Sequence, residues 1–246
     1  MTLIVTGGGR GIGAAICVLA ADRGYDIVIN YATDASAADK VADQVRQRGR
    51  QAIAVQGDVS SEDDVRTLFD TAAELGPLRG LVNNAGISGN TPGRLDEQDV
   101  ETVRRVLDVN VTGVFLCCRE AVRRMSIRYG GPGGAIVNVS STAAHRGSPG
   151  EWVHYAASKA AVETLTFGLA QEVAREGIRV NAVSPGLVDT EFHAAAGLPE
   201  RVKRTADAIP LGRAGRPEEI AEAVLWMLSP AASFTIGSTM QVSGGR

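Results

Sequence analysis

Short apolar runs rich in valine and isoleucine recur along the chain, at Leu3–Thr6, Asp26–Asn30, Ala52–Val55, Gly80–Asn83, Gly134–Val139, Ile178–Val183 and Thr239–Val242. Each is short for a helix, which reads as a strand covered on both faces. Between these runs the apolar positions fall three and four apart. After Ser61, for example, Val65, Leu68, Phe69 and Ala72 share one helix face. Ser61-x-x-Asp64 resembles a capping box, with Asp in the place of Glu or Gln.

The punctuation agrees with this alternation. Gly24, Gly49 and Gly177 each follow a charged helix end and precede an apolar run, the sequence form of a helix C-cap feeding a strand. Pro217 opens a further helix at a position where its missing N–H does little harm. Unbroken alternation without a linker predicts one α/β domain over residues 1–246: a single-domain Rossmann fold, doubly wound, with a seven-stranded parallel sheet and helices on both faces. The loop candidates are Gly130–Gly134, Ala143–Gly150 and Leu187–Gly215. The last is long enough to form a mobile substrate lid with short helices of its own.

Composition narrows the classes. The 246 residues are 44% hydrophobic, ample for a full core, and the net charge is −3. Arg119, Arg123, Arg124 and Arg128 are the largest basic cluster, and their helical spacing reads as a solvated helix face, so nucleic acid is not an expected partner. No apolar run approaches the roughly 20 residues of a membrane helix, and the start of the chain lacks a basic region and cleavage site. Cys17, Cys117 and Cys118 lie in apolar helical stretches, where a disulfide framework is not expected. A reducing, cytoplasmic location follows as an expectation. His145, His154 and His193 have no metal-ligand spacing, so no metal is expected.

Chemistry concentrates at two places. The first strand runs into Thr6-Gly7-Gly8-Gly9-Arg10-Gly11-Ile12-Gly13 and then directly into a helical pattern. A glycine-rich turn there lets backbone N–H groups and a helix N-terminus meet a pyrophosphate, with the last glycine permitting close packing. An NAD-type site adds a carboxylate at the end of the second strand. Here that strand ends Asn30-Tyr31-Ala32-Thr33, and Asp34 comes only shortly after. Arg10 could pair with a 2′-phosphate, so NADP(H) is favoured and NAD(H) remains possible. The second place is Tyr155-Ala156-Ala157-Ser158-Lys159, which puts a phenol and an ammonium one helical turn apart. A free phenol titrates near pH ~10. A neighbouring ammonium favours the phenolate and makes the pair a candidate general acid/base, with Ser140 and Ser141 upstream.

Taken together, these motifs resemble the short-chain dehydrogenase/reductase family, in its small single-domain form similar to 3-oxoacyl-carrier-protein reductases and glucose dehydrogenases. The resemblance implies that Gly7, Gly9, Arg10, Gly11, Ile12 and Gly13 hold the cofactor diphosphate, with Tyr31 beside the adenosine ribose. Asp58 and Val59 would contact adenine, and Asn84, Ala85 and Gly86 would lie under the cofactor. Pro185, Gly186, Val188 and Thr190 would line the nicotinamide side. It implies a catalytic set of Asn110, Ser141, Tyr155 and Lys159, the last also holding the nicotinamide ribose. Asn110 would anchor a water on a proton path from Lys159, or instead satisfy backbone groups at a helix kink. Ser140 and Thr142 rival Ser141 as the hydroxyl, and family register favours Ser141.

The Ser141–Tyr155 spacing is one residue longer than is usual in the family, which places an insertion in Gly147–Glu151. Ser88–Arg94, Ala143–Val153 and Leu187–Gly212 would set the substrate. The expected reaction interconverts a ketone or aldehyde and an alcohol on a small diffusible substrate, sugar-like or polyol-like. A 3-oxoacyl-carrier-protein reductase and a non-catalytic nucleotide sensor are the alternatives, and a Ser-His-Asp hydrolase built on His154 lacks its elbow motif. A homotetramer is expected, with the helix around Tyr155–Val173 at one interface and the C-terminus near another.

Overall fold

The computed structural model describes residues 1–89 and 92–246. Seven parallel strands form one sheet in the order β3-β2-β1-β4-β5-β6-β7. The strands are β1 Thr2–Val5, β2 Asp26–Tyr31, β3 Ala52–Gln56, β4 Leu78–Asn83, β5 Gly134–Val139, β6 Ile178–Pro185 and β7 Thr239–Val242. The seven apolar runs are thus the seven strands. β5 and β7 end where the pattern predicts. β4 starts two residues earlier and β6 runs two residues further, because pairing with β1 and β7 extends the ladders past the apolar stretch.

The helices are α1 Gly11–Asp22, α2 Ala35–Gln47, α3 Glu62–Glu74, α4 Val100–Leu107, α5 Gly113–Met125, α6 Ala143–Arg146, α7 Val153–Val173, α8 Phe192–Ala195, α9 Arg201–Thr205 and α10 Pro217–Leu228. One face of the sheet is covered by α1, α2 and α10, whose Ile16, Val41 and Val224 pack on Leu3, Ile27 and Ile29. The other is covered by α3, α5 and α7, whose Phe69, Cys117 and Val162 pack on Ile4, Leu81 and Ile136. Both strand faces are therefore dry, which is why the strands read as continuous apolar runs.

Local signals behave mostly as expected. Gly24, Gly49 and Gly177 adopt φ of +87°, +74° and +79°. The Ser61 hydroxyl caps α3 by accepting from Asp64 N at 3.3 Å. The reciprocal half of the capping box is not formed. Asp64 Oδ2 instead accepts from Asp58 N at 2.8 Å, so the carboxylate ties α3 to the end of β3. The Arg119–Arg124 cluster is not merely solvated. Arg123 and Arg124 flank the buried Glu120, while Arg119 and Arg124 reach Glu62 and Asp70 on α3. Those carboxylates neutralise the basic face. All three cysteines are buried and free.

Because the strands are parallel, every β-to-α connection emerges at one edge. The chain crosses from one side to the other between β1 and β4, and the crevice at that switch point is where ligands bind in open α/β sheets.

Candidate active site

A cavity of about 720 Å³ opens at this edge. Its wall contains every residue expected at the site except Gly13 and Asn110, which lie immediately behind it.

The glycine turn leaves β1 with φ of +60° at Gly7 and +53° at Gly11, a backbone course that residues with a side chain rarely take. A Cβ on Gly13 would overlap Gly7 O and crowd Asn84 Nδ2, so this glycine lets α1 sit against the turn. Asn84 holds the same turn from β4, its Nδ2 donating to Thr6 O and Gly7 O at 3.0 Å each. Asn30 closes the other side. It accepts from Gly7 N at 3.3 Å and donates to Gly57 O at 2.9 Å. Both asparagines therefore shape the backbone cradle with their side chains.

At the far end of this cradle lie Tyr31, Thr33, Asp34 and Arg10. Asp34 is the N-cap of α2, and its Oδ1 accepts from Ala37 N at 2.9 Å. Arg10 is exposed and forms no ion pair among the described residues. Beyond Gly57, burial opposes ionisation of Asp58, but hydrogen bonds from Ser60 and Arg105 outweigh it and hold the carboxyl below its ordinary value. Arg105 Nη2 lies 2.6 Å from Asp58 Oδ2, a partner the motif itself does not reveal.

Tyr155 and Lys159 stand on α7 with Tyr155 facing the cavity. Burial pushes the phenol above its ordinary value, while a hydrogen bond with Ser141 and the charge of Arg201 act in the opposite direction. Lys159 is buried, its Nζ donating to Val139 O at 2.8 Å and lying 5.8 Å from the Tyr155 ring centroid. Burial lowers its own pKa to about 8. For the phenol, desolvation outweighs the opposing groups, and the cation among those groups is Arg201 of α9.

The two serines separate cleanly. Ser141 Oγ accepts from Ala143 N at 3.2 Å and meets the phenol. Ser140 Oγ donates to Glu163 Oε1 at 2.7 Å, and Glu163 also holds His145 at 2.9 Å. Strand alternation sends only one hydroxyl to Tyr155. Asn110 sits in a single π-helical turn, Asp108–Thr112, between α4 and α5. Its Oδ1 accepts from Ile87 N at 2.9 Å, and its Nδ2 donates to Ile87 O at 2.7 Å and Ser158 Oγ at 3.0 Å. Its side chain therefore satisfies the Ile87 backbone from a helix kink. A Cβ on Gly86 would lie 3.3 Å from both Asn110 Oδ1 and Lys159 Nζ, so Gly86 is what lets the two groups converge.

The substrate end is built from Ser141–Trp152 and from 187–205. The lengthened segment turns through positive φ at Gly147, Ser148 and Gly150, and brings Glu151 and Trp152 into the wall. Phe192 of α8 approaches Tyr155 with ring centroids 6.0 Å apart. Of Ser88–Arg94, Ser88 reaches the cavity, whereas Asn90 and Thr91 lie outside the described residues. Arg246 also lines this end, and nothing in the sequence pattern singles it out.

A sheet switch point carrying a glycine cradle beside a Tyr-Lys-Ser set defines a nucleotide-dependent oxidoreductase of the Rossmann class. Residues 7–246 match the family model described as Enoyl-(Acyl carrier protein) reductase. The chain is 50% identical to the uncharacterized oxidoreductase YgfF of Escherichia coli (strain K12), over 99% of this chain and 98% of that one. It is 46% identical to the cis-4-hydroxycyclohexanecarboxylate dehydrogenase of Sinomonas cyclohexanicum, over 98% and 94%. A short chain dehydrogenase from Burkholderia cenocepacia J2315, solved in complex with NADP, superposes with a TM-score of 0.88 at 35% identity, over 99% of this chain and 96% of that one. The chain belongs to the short-chain dehydrogenase/reductase family.

Proposed function

We propose that the protein interconverts a ketone or aldehyde and an alcohol using NADP(H), with Tyr155 as the general acid/base. One observation carries the reading: the Tyr155 phenol, hydrogen-bonded to Ser141, shares a single cavity with the glycine cradle. That cradle fits a dinucleotide, since its backbone turns through positive φ at Gly7 and Gly11 and ends on the N-terminus of α1. Gly7, Gly9, Gly11 and Ile12 would hold the diphosphate, and Asp58 and Val59 the adenine. Asn84, Ala85 and Gly86 would support the nicotinamide half from below, with Pro185, Gly186, Val188 and Thr190 across from them. When bound, the nicotinamide supplies or takes a hydride.

Tyr155 gives its proton to the carbonyl oxygen in reduction and takes the hydroxyl proton in oxidation. The phenol's raised pKa keeps that proton in place at neutral pH. Ser141 donates to the same substrate oxygen where negative charge builds. Lys159, with its Nζ 5.8 Å from the Tyr155 ring centroid, would refill the phenol and hold a ribose hydroxyl. Asn110 is a positioning residue, fixing Ile87 and α7 through Ser158.

NADP(H) is favoured because Asp34 is engaged as a helix cap while Arg10 faces the cavity with no ion pair among the described residues. We predict that Arg10→Gln lowers the NADPH-to-NADH ratio of kcat/KM about tenfold, the effect of one lost charge-assisted bond. An unchanged ratio would assign the preference elsewhere. The segment 187–215, with α8 and α9, acts as the lid over a small diffusible substrate in the cytoplasm, and the working unit is a homotetramer. A carrier-protein substrate is less well supported, because Glu176 lies 3.8 Å from Arg128 and offsets a candidate docking cation. The deciding experiment is a screen of ketones, aldehydes and alcohols with both cofactors in both directions. Cofactor binding without turnover of any of them would favour a nucleotide sensor.

A further inference from the structure

Three arginines from distant parts of the chain line the substrate end of the cavity: Arg146 at the end of α6, Arg201 at the start of α9, and Arg246. Their charges act on one another. Burial, together with repulsion from Arg146 and Arg201, lowers the pKa of Arg246, and Glu151 opposes the shift. Crowding like charges is unfavourable unless something of opposite sign joins them. Glu151 and Glu191 are the carboxylate side chains on this part of the wall. Among the described residues, neither Arg146 nor Arg246 forms an ion pair.

Arg201 is the best placed of the three. Its side chain is 18% exposed, its guanidinium lies over the Trp152 ring at 5.0 Å, and its charge is felt by the Tyr155 phenol. Its Nη1 is ion-paired with Glu151 Oε1 at 2.6 Å. An unsatisfied donor stands beside it. Trp152 is 3% exposed and its indole Nε1–H has no acceptor among the described residues. Buried donors without acceptors are uncommon in folded proteins and call for a partner. The indole N–H and the guanidinium are donor-only groups, so the partner is an acceptor. Phe192, Ala195 and Ala196 give the space between these donors and Tyr155 an apolar wall.

We propose that the substrate is a hydroxy acid or oxo acid, its carboxylate held by Arg201 and Trp152 with Arg146 and Arg246 beside them, and its reacting carbon at Tyr155. This rests on the oxidoreductase reading above and narrows its small diffusible substrate to a carboxylate with a hydrocarbon body. A planar guanidinium fork matches a planar carboxylate.

The test uses two probes, a cyclic ketone bearing a ring carboxylate and its methyl ester. For the native protein with NADPH, both binding by calorimetry and kcat/KM are measured, then repeated for Arg201→Gln, Arg201→Lys and Tyr155→Phe. We expect the carboxylate to be preferred over the ester by tenfold or more in both readouts. That ratio should collapse in Arg201→Gln, be partly kept in Arg201→Lys, and persist for binding in Tyr155→Phe. Equal binding and turnover of the two probes, or binding of neither, would overturn the anion pocket and leave the tyrosine mechanism to its own test. Preferred binding of the carboxylate without turnover of either probe would uphold the pocket and count against the oxidoreductase reading.

Discussion

Lys159 shows how one residue's surroundings set its chemistry. Its buried ammonium donates to the Val139 carbonyl, and burial lowers its pKa from 10.5 to about 8. The folded protein therefore binds fewer protons than the unfolded chain between those values, so this group's penalty on stability is full below about pH 8 and fades as pH rises toward 10.5. We predict that removing the charge by Lys159→Met raises Tm at pH 7 relative to the native protein, and that this advantage shrinks by pH 9.5. A difference that is flat with pH would show that the ammonium is better solvated than its burial implies. The sequence pointed to Tyr155, Lys159 and Ser141 because helical and family spacing fix them. It could not separate the side chains of Ser141 and Ser140 by pattern alone, since that depends on which face of β5 meets α7. Nor could it weigh desolvation against the Tyr–Lys attraction, because burial is a property of the packed fold.

At the level of elements, side chains that no motif marks hold the site's supports in place. Arg179 in β6 donates to the carbonyls of Met227, Leu228, Ser229 and Ala232, closing the C-terminal end of α10. These are the carbonyls a helix leaves unpaired, at its negative pole. Arg179→Met should destabilise the fold by about 2 kcal/mol, seen as a Tm lower by roughly 4–8 °C. A change within about a degree would mean that water replaces the guanidinium at no net loss. Asn138 is a similar case, linking Asn83 of β4 to Thr166 of α7 through bonds of 2.9 Å each. Such pairings between distant segments leave no periodic trace. The strands and most helices were legible because their signal is the alternation of apolar runs, whereas Asp64 shows the limit. Its spacing from Ser61 suggested a local box, yet the carboxylate bonds Asp58 across the β3–α3 connection.

Over the whole molecule, the doubly wound parallel sheet was recoverable from β-α alternation, whereas the order β3-β2-β1-β4-β5-β6-β7 was not, because right-handed crossovers fit more than one order. Assembly leaves a weaker trace. Phe167 on α7 is 60% exposed, and Phe234 near the chain's end is fully exposed, at the two places where the resemblance puts subunit contacts. We predict the mass of four chains in solution by light scattering, and a smaller species for Phe167→Glu with the fold retained by circular dichroism. A monodisperse native monomer would contradict this. The cavity spans the molecule's switch-point edge from Arg10 to Arg201, and Tyr155 stands between its two halves. The account rests on that position.

The most direct measurement is therefore a single turnover, with NADPH-bound native protein and NADPH-bound Tyr155→Phe mixed with a ketone that the native protein reduces. Cofactor binding is followed separately by fluorescence. The account predicts unchanged NADPH affinity and a loss of nearly all cofactor oxidation in the variant. A variant that binds NADPH normally and reduces the ketone at close to the native rate would contradict it.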